Sequence, residues 1–222
     1  MKDQKALNHQ NQEELVTDAR NKVQGMGLIK ISTIVYGLMT LVGCLVIHLG
    51  LDTLSEVFAT NLPYTEWARL GAVGALAAML LLIFSYFFEN WFESYRQLKN
   101  LITKLLGPCS FFTAIYLAFA SAVGEEILFR GAIQPYAGIF ITSILFGLLH
   151  LGQDGKISSW SLWAMAAGLL LGIVYESTGT IWAPVLAHFL VNAFSILKIR
   201  RSYQQWAILN PSQSPSVNDE RS

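Results

Sequence analysis

The sequence predicts an all-α fold, a polytopic membrane helix bundle of about six transmembrane helices with one interfacial amphipathic helix. Three observations predict it. Of 222 residues, 53% are hydrophobic and 14% charged, whereas soluble domains carry about 25% charged residues. Several apolar stretches approach or exceed the roughly 20 residues that a helix needs to cross a hydrocarbon core. Lys and Arg fall almost entirely on alternate connections, the asymmetry that orients membrane proteins. The formal net charge is zero, so no bulk field argues for nucleic acid as a partner.

Residues 1–26 are polar and mixed in charge, without the short apolar core and cleavage site of a signal peptide, so the amino terminus is expected to be retained. They read as a cytoplasmic tail, disordered or loosely helical. The first span is expected over 28–51, with His48 near its outer end as an incidental interfacial residue. The connection 52–67 carries Asp52, Glu56 and Glu66, Pro63 as a breaker, and no Lys or Arg, which marks it as outside. A second span over 68–88 begins with the small residues Gly71, Gly74, Ala75, Ala77 and Ala78, which suit close helix packing. Between 89 and 107, Leu98, Leu101, Ile102, Leu105 and Leu106 recur at helical spacing against Arg96, Lys99 and Lys104. That pattern predicts an amphipathic helix on the inner face.

After Gly107-Pro108 a third span is expected from Cys109 to about Gln134-Pro135, then a short apolar run over 136–151 that ends in His150. A polar loop over 152–159 leads to a fifth span over 160–175, with Gly168 and Gly172 spaced for helix contact. Glu176-Ser177-Thr178-Gly179 reads as a turn, and a sixth span over 180–199 holds His188 and Asn192. Beyond Asn210 the composition predicts disorder. Cys44 and Cys109 have neither metal-like nor disulfide-like spacing and read as buried free thiols. Six spans with both termini cytoplasmic keep Lys22, Arg96, Lys99, Lys104, Lys156, Arg200 and Arg201 inside and leave only Arg69 at an outer span edge.

Within the third span, Gly124-Glu125-Glu126-Ile127-Leu128-Phe129-Arg130 places three charges in an otherwise apolar run. One charged side chain at the bilayer centre costs roughly 2.5 to 3.5 kcal/mol on insertion scales, so the group calls for a function. Glu126 and Arg130, four apart, can neutralise each other. Glu125 points about 100° away around the helix and is left for partners on other helices. The other ionisable groups within the membrane are His150 and His188, the latter with Asn192 on its face. A carboxylate and an imidazole beside one water can act as general base, and His and Asn donors can stabilise an oxyanion, which describes a hydrolytic site. Glu125, His150 and His188 also match the ligand set of some zinc hydrolases, although the His-Glu-x-x-His signature is absent. The adjacent acids alone also fit an ion or proton pathway in a transporter, but paired broken helices and half-to-half symmetry are lacking. Phe146 reads as packing against the His150 ring.

Glu125-Glu126-x-x-x-Arg130, Phe146-x-x-x-His150 and His188-x-x-x-Asn192, in that order, together with Gly179-Thr180-Ile181-Trp182-Ala183-Pro184, resemble the CAAX prenyl protease and bacteriocin-processing (CPBP, Abi) family of intramembrane proteases. The resemblance covers roughly 108–195. It implies an intramembrane endopeptidase of the glutamate-dependent or metallo type acting on a membrane-associated peptide or protein. Glu125 and His150 would activate water, His188 and Asn192 would form the oxyanion hole, and Glu126 and Arg130 would support the site. Zinc, on Glu125, His150 and His188, stays open as a cofactor. On this reading 1–26 is the cytoplasmic N-terminal tail, and 27–107 holds two transmembrane helices and the interfacial helix. Residues 108–200 form the catalytic membrane core, and 201–222 the cytoplasmic C-terminal tail. The alternative is a non-proteolytic membrane scaffold or bacteriocin-immunity protein with the same fold.

Overall fold

A computed structural model describes residues 2–51, 53–152 and 155–210, with backbone alone for residues 2–20 and 51. Among the described residues every regular element is helical: α1 (Lys2–Val46), continued by a wider π turn over Ile47–Leu51, α2 (Leu54–Val57), α3 (Tyr64–Trp91), α4 (Glu93–Leu106), α5 (Phe111–Glu126), a second π segment over Ile127–Ile133, α6 (Gln134–Leu148), α7 (Ser159–Thr178) and α8 (Trp182–Leu209). The polar stretch 2–26 is thus the helical upstream part of α1. Residues 211–222, expected to be disordered, lie outside the described residues.

Five helices are long and apolar enough to cross a membrane: Asn21–Gly50, Tyr64–Trp91, Phe111–Leu148, Ser159–Thr178 and Trp182–Leu209. The expected third and fourth spans together form one of these, the Phe111–Leu148 stretch, which turns back at Gly138, whose φ of 73° and ψ of 166° lie outside the helical region. The expected break at Gln134-Pro135 is displaced to this glycine. Pro135 sits in the first turn of α6, just after the π segment, where its missing N–H is tolerated. Gly138 occupies a region essentially closed to residues with a Cβ. Gly138→Ala is expected to destabilise the protein by about 1–3 kcal/mol, measured as a lowered unfolding midpoint in detergent.

Contacts at the two ends fix the topology. At one end Gln24 Nε2 donates to Leu105 O (2.8 Å), Arg200 Nε to Cys109 O (3.0 Å), and the Ser94 and Ser159 hydroxyls pair at 2.8 Å. At the other, Trp182 Nε1 donates to Ala59 O (2.9 Å), Ile181 N to Val57 O (3.1 Å), and the Trp67 and Trp182 rings meet at 6.0 Å. The beginning of the first span and the end of the last therefore share one end. Capping sharpens the boundaries: Ser110 accepts from Thr113 N at the start of α5, Ser158 and Ser161 form a capping box on α7, and Gly179 closes α7 in the left-handed region (φ 68°).

Helix pairing is close. α1 lies along α5, where a Cβ on Gly124 would come within 2.8 Å of Tyr36 O, so only glycine lets the two backbones approach. α3 packs on α8 and α6 on α7, with Gly168 against Ser143 and Phe146, and Gly172 against Ile139 and Gln134, as their spacing predicts. The core of Leu81, Phe129, Phe146, Trp163, Leu171 and Val191 sits among α3, the second π segment, α6, α7 and α8. Ile34, Leu38 and Leu41 on α1 and Leu76, Leu80 and Ile83 on α3 face outward, the apolar exterior that hydrocarbon requires. Cys44 and Cys109 are free thiols. The expected amphipathic helix is α4: Leu98, Ile102 and Leu106 line a cavity while Leu101 and Leu105 are exposed.

Candidate active site

That cavity encloses about 1040 Å³ between α1, α3, α4, α5, α7 and α8, and Glu125, His150, His188 and Asn192 all line it. The sequence-predicted residues from three helical segments thus share one chamber. Its wall is mostly apolar, with Leu82, Leu117, Trp163, Leu171 and Val191. Towards the end holding α4 it is bordered by Glu89, which pairs with Lys99 and lies 3.7 Å from Lys198 Nζ.

Glu126 and Arg130 are fully buried, and Glu125 and His188 are each 7% exposed. Arg130 Nε stands 3.1 Å from Glu126 Oε2, an ion pair without hydrogen-bond alignment. The guanidinium lies 5.0 Å from the Phe146 ring centroid and 6.0 Å from that of Phe129, so aromatic faces take up part of its charge. The pairing follows the i, i+4 spacing even though a π segment begins at Ile127. Single π turns of this sort recur at functional sites.

Glu126 does more than the spacing indicates. Its second oxygen, Oε1, lies 2.8 Å from His188 Nδ1. A carboxylate paired with an arginine accepts, so Nδ1 is the donor. On the far side of the same ring, His188 Nε2 is 3.9 Å from Glu125 Oε2, which has no hydrogen-bond partner among the described residues. One imidazole is therefore flanked by two consecutive carboxylates. Two formal negative charges on Glu125 and Glu126 stand against Arg130, and a protonated His188 makes the cluster neutral.

His150 follows the last turn of α6. Its Nδ1 donates to Phe146 O (2.7 Å), leaving Nε2 as the acceptor nitrogen, while Ser161 Oγ donates to His150 O (2.8 Å) and anchors the turn. The run from Gly138 to Leu148 covers only about 15 Å at 1.5 Å per residue, against a hydrocarbon core of about 30 Å. Its end carries His150 to the wall of the cavity that Glu125 also lines. Phe146 joins the two sides: its ring centroid is 4.8 Å from that of His150, 6.1 Å from that of His188 and 5.0 Å from that of Phe129. Expected only to pack on His150, it also meets Phe129, His188 and the Arg130 guanidinium.

Asn192 Nδ2 donates to Ser121 Oγ (2.9 Å), whose own proton goes to Ala118 O (3.1 Å). Ser121, one turn before Glu125, was missed; its signal is a hydroxyl at i−4 on the helix face of the acid. Among the described residues no three His, Cys, Asp or Glu side chains are placed to hold a metal. Glu125, His150 and His188 thus form no ready-made zinc set, and no step below runs through a metal.

Residues 107–194 match the family described as Rce1-like, type II CAAX prenyl endopeptidase. The chain is 32% identical over 134 residues to "Uncharacterized protein YpbD" of Bacillus subtilis (strain 168), covering 57% of this chain and 67% of that protein. It is 26% identical over 144 residues to "Putative membrane peptidase YdiL" of the same organism, covering 58% of this chain and 56% of that one. The chain thus spans a little over half the length of the second relative. No solved structure matches it. A multi-pass helical bundle with these motifs and these relatives is an integral membrane protein of the CAAX-protease-like class. The chain belongs to the Rce1-like (CPBP) family.

Proposed function

We propose that this protein is an intramembrane endopeptidase that cleaves a membrane-associated peptide with water activated by Glu125 and His150. The observation that carries the reading is the His188 imidazole between Glu125 and Glu126, inside a cavity walled by membrane-spanning helices. Glu125, buried yet with an unpartnered oxygen, takes a proton from water as the oxygen attacks the scissile carbonyl. His150 Nε2 assists as the second acceptor. The oxyanion that forms is met by donors from His188 and Asn192. Glu125 then passes its proton to the leaving amine. Glu126 holds His188 by Nδ1, and Arg130 balances Glu126.

On the same reading 108–200 is the catalytic core, and 27–107 supplies the lipid-facing wall and the α4 border of the cavity. The shared end of the first and last spans is cytoplasmic, supported by Arg96, Lys99, Lys104 and Arg200 lying there. The test compares membrane peptides from cells carrying the unaltered protein, Glu125→Ala or His150→Ala, each confirmed to be inserted. A defined set of fragments is expected to vanish in both variants. Identical peptide sets, with the cellular phenotype preserved, would overturn the reading in favour of a scaffold.

A further inference from the structure

Tyr36 lies on α1, outside the residues that match the family and outside every motif in the sequence. Its place is nonetheless set by the site. The backbone of α1 approaches α5 closely at Gly124, where an added Cβ would stand 2.8 Å from Tyr36 O and 2.9 Å from Tyr36 Cβ. Gly124 immediately precedes Glu125. The two helices are also joined one turn earlier, where the Thr33 and Tyr116 hydroxyls pair at 2.6 Å. From this position Tyr36 lines the cavity with Glu125, His150, His188 and Asn192, and its phenol lies beside the Glu125 carboxylate. An ionised carboxylate only accepts, so a hydrogen bond between the two has the phenol as its donor.

We infer that Tyr36 is a positioning residue for the proposed hydrolysis: its hydroxyl aims the Glu125 carboxylate into the cavity, so that α1 completes a site whose other members all lie within 107–194. The inference rests on the peptidase reading. A glutamate has three side-chain torsions, and at Glu125 the described neighbours leave one oxygen without a partner. A single donor from a second helix therefore decides where the carboxylate points. The narrow approach at Gly124 matters for the same reason, since a wider separation of α1 and α5 would withdraw that donor.

The test uses the full-length protein in phosphatidylcholine vesicles. Its probe is a fluorophore–quencher version of the peptide whose cleavage is lost with Glu125→Ala. Tyr36→Phe keeps the ring against Gly124 and removes only the hydroxyl. It is expected to lower kcat about 10- to 100-fold, the scale of one hydrogen bond to a charged group. KM should stay within about twofold and the unfolding midpoint should not move. In infrared spectra, the carboxylate band assigned to Glu125 by its loss in Glu125→Gln should shift in Tyr36→Phe. Full kcat and an unmoved band in Tyr36→Phe, with Glu125→Gln inactive, overturn the inference and leave the peptidase reading standing. A rise in KM alone also overturns it, by making the hydroxyl a substrate contact. Full activity of Glu125→Gln overturns the peptidase reading, and the inference falls with it.

Discussion

Glu125→Gln is expected to reduce kcat by about 100- to 10,000-fold, the usual contribution of a general base, while the protein unfolds at an equal or higher temperature. The two effects have one cause. Glu125 is a buried carboxylate with an oxygen that no described group satisfies, and its closest cationic partner stands 3.9 Å away. Such a group opposes folding in the membrane and is retained for chemistry. The amide keeps the shape and removes both the charge and the basicity. Kinetics on the vesicle substrate, with a parallel thermal unfolding series in detergent, measure both quantities. An active Glu125→Gln would remove the acid from the mechanism, and a strongly destabilised one would make it structural.

The neighbouring pair should behave in the opposite way. Arg130→Met is expected to destabilise the protein by about 3–5 kcal/mol, because it leaves Glu126 as a fully buried carboxylate without its guanidinium. In the double variant Glu126→Gln/Arg130→Met no uncompensated charge remains, and most of that loss should be recovered. Cleavage should not recover. Glu126 Oε1 also holds His188 by Nδ1, and a neutral amide there no longer favours the protonated ring that donates to an oxyanion. Unfolding in mixed micelles together with the vesicle assay separates the two roles. Recovery of cleavage in the double variant would make the pair a structural ion pair alone.

The division of labour between these two acids was legible in part. The helical period correctly paired Glu126 with Arg130 and turned Glu125 away from that pair, since both relations are local. It was silent on Glu126 reaching His188, because that contact joins residues 62 positions apart and depends on how α8 docks against α5. The apolar helices and the amphipathic α4 were readable for the reason that hydrocarbon tolerates few alternatives. The reversal at Gly138 was not. Pro135 is the stronger breaker by composition, but a π turn just ahead of it absorbs the proline, and the chain bends three residues later. Tyr36 carried no pattern of its own, and Ser121 only a hydroxyl one turn before the acid. Their importance comes from the close approach of α1 at Gly124 and from the register of Asn192, both set only once the helices have packed.

The short stretch after Gly138 has a consequence for the lipid around it. A segment of about 15 Å cannot match a 30 Å hydrocarbon layer, and a bilayer meets such a mismatch by thinning locally. A bilayer that thinned there would carry headgroups and their hydration inward beside α6. On the proposed peptidase reading each turnover consumes one water, and such a dimple would bring water close to the site without a pore through the protein. Bilayer thickness then becomes a variable of the reaction: longer acyl chains flatten the dimple and lengthen the path that water must travel.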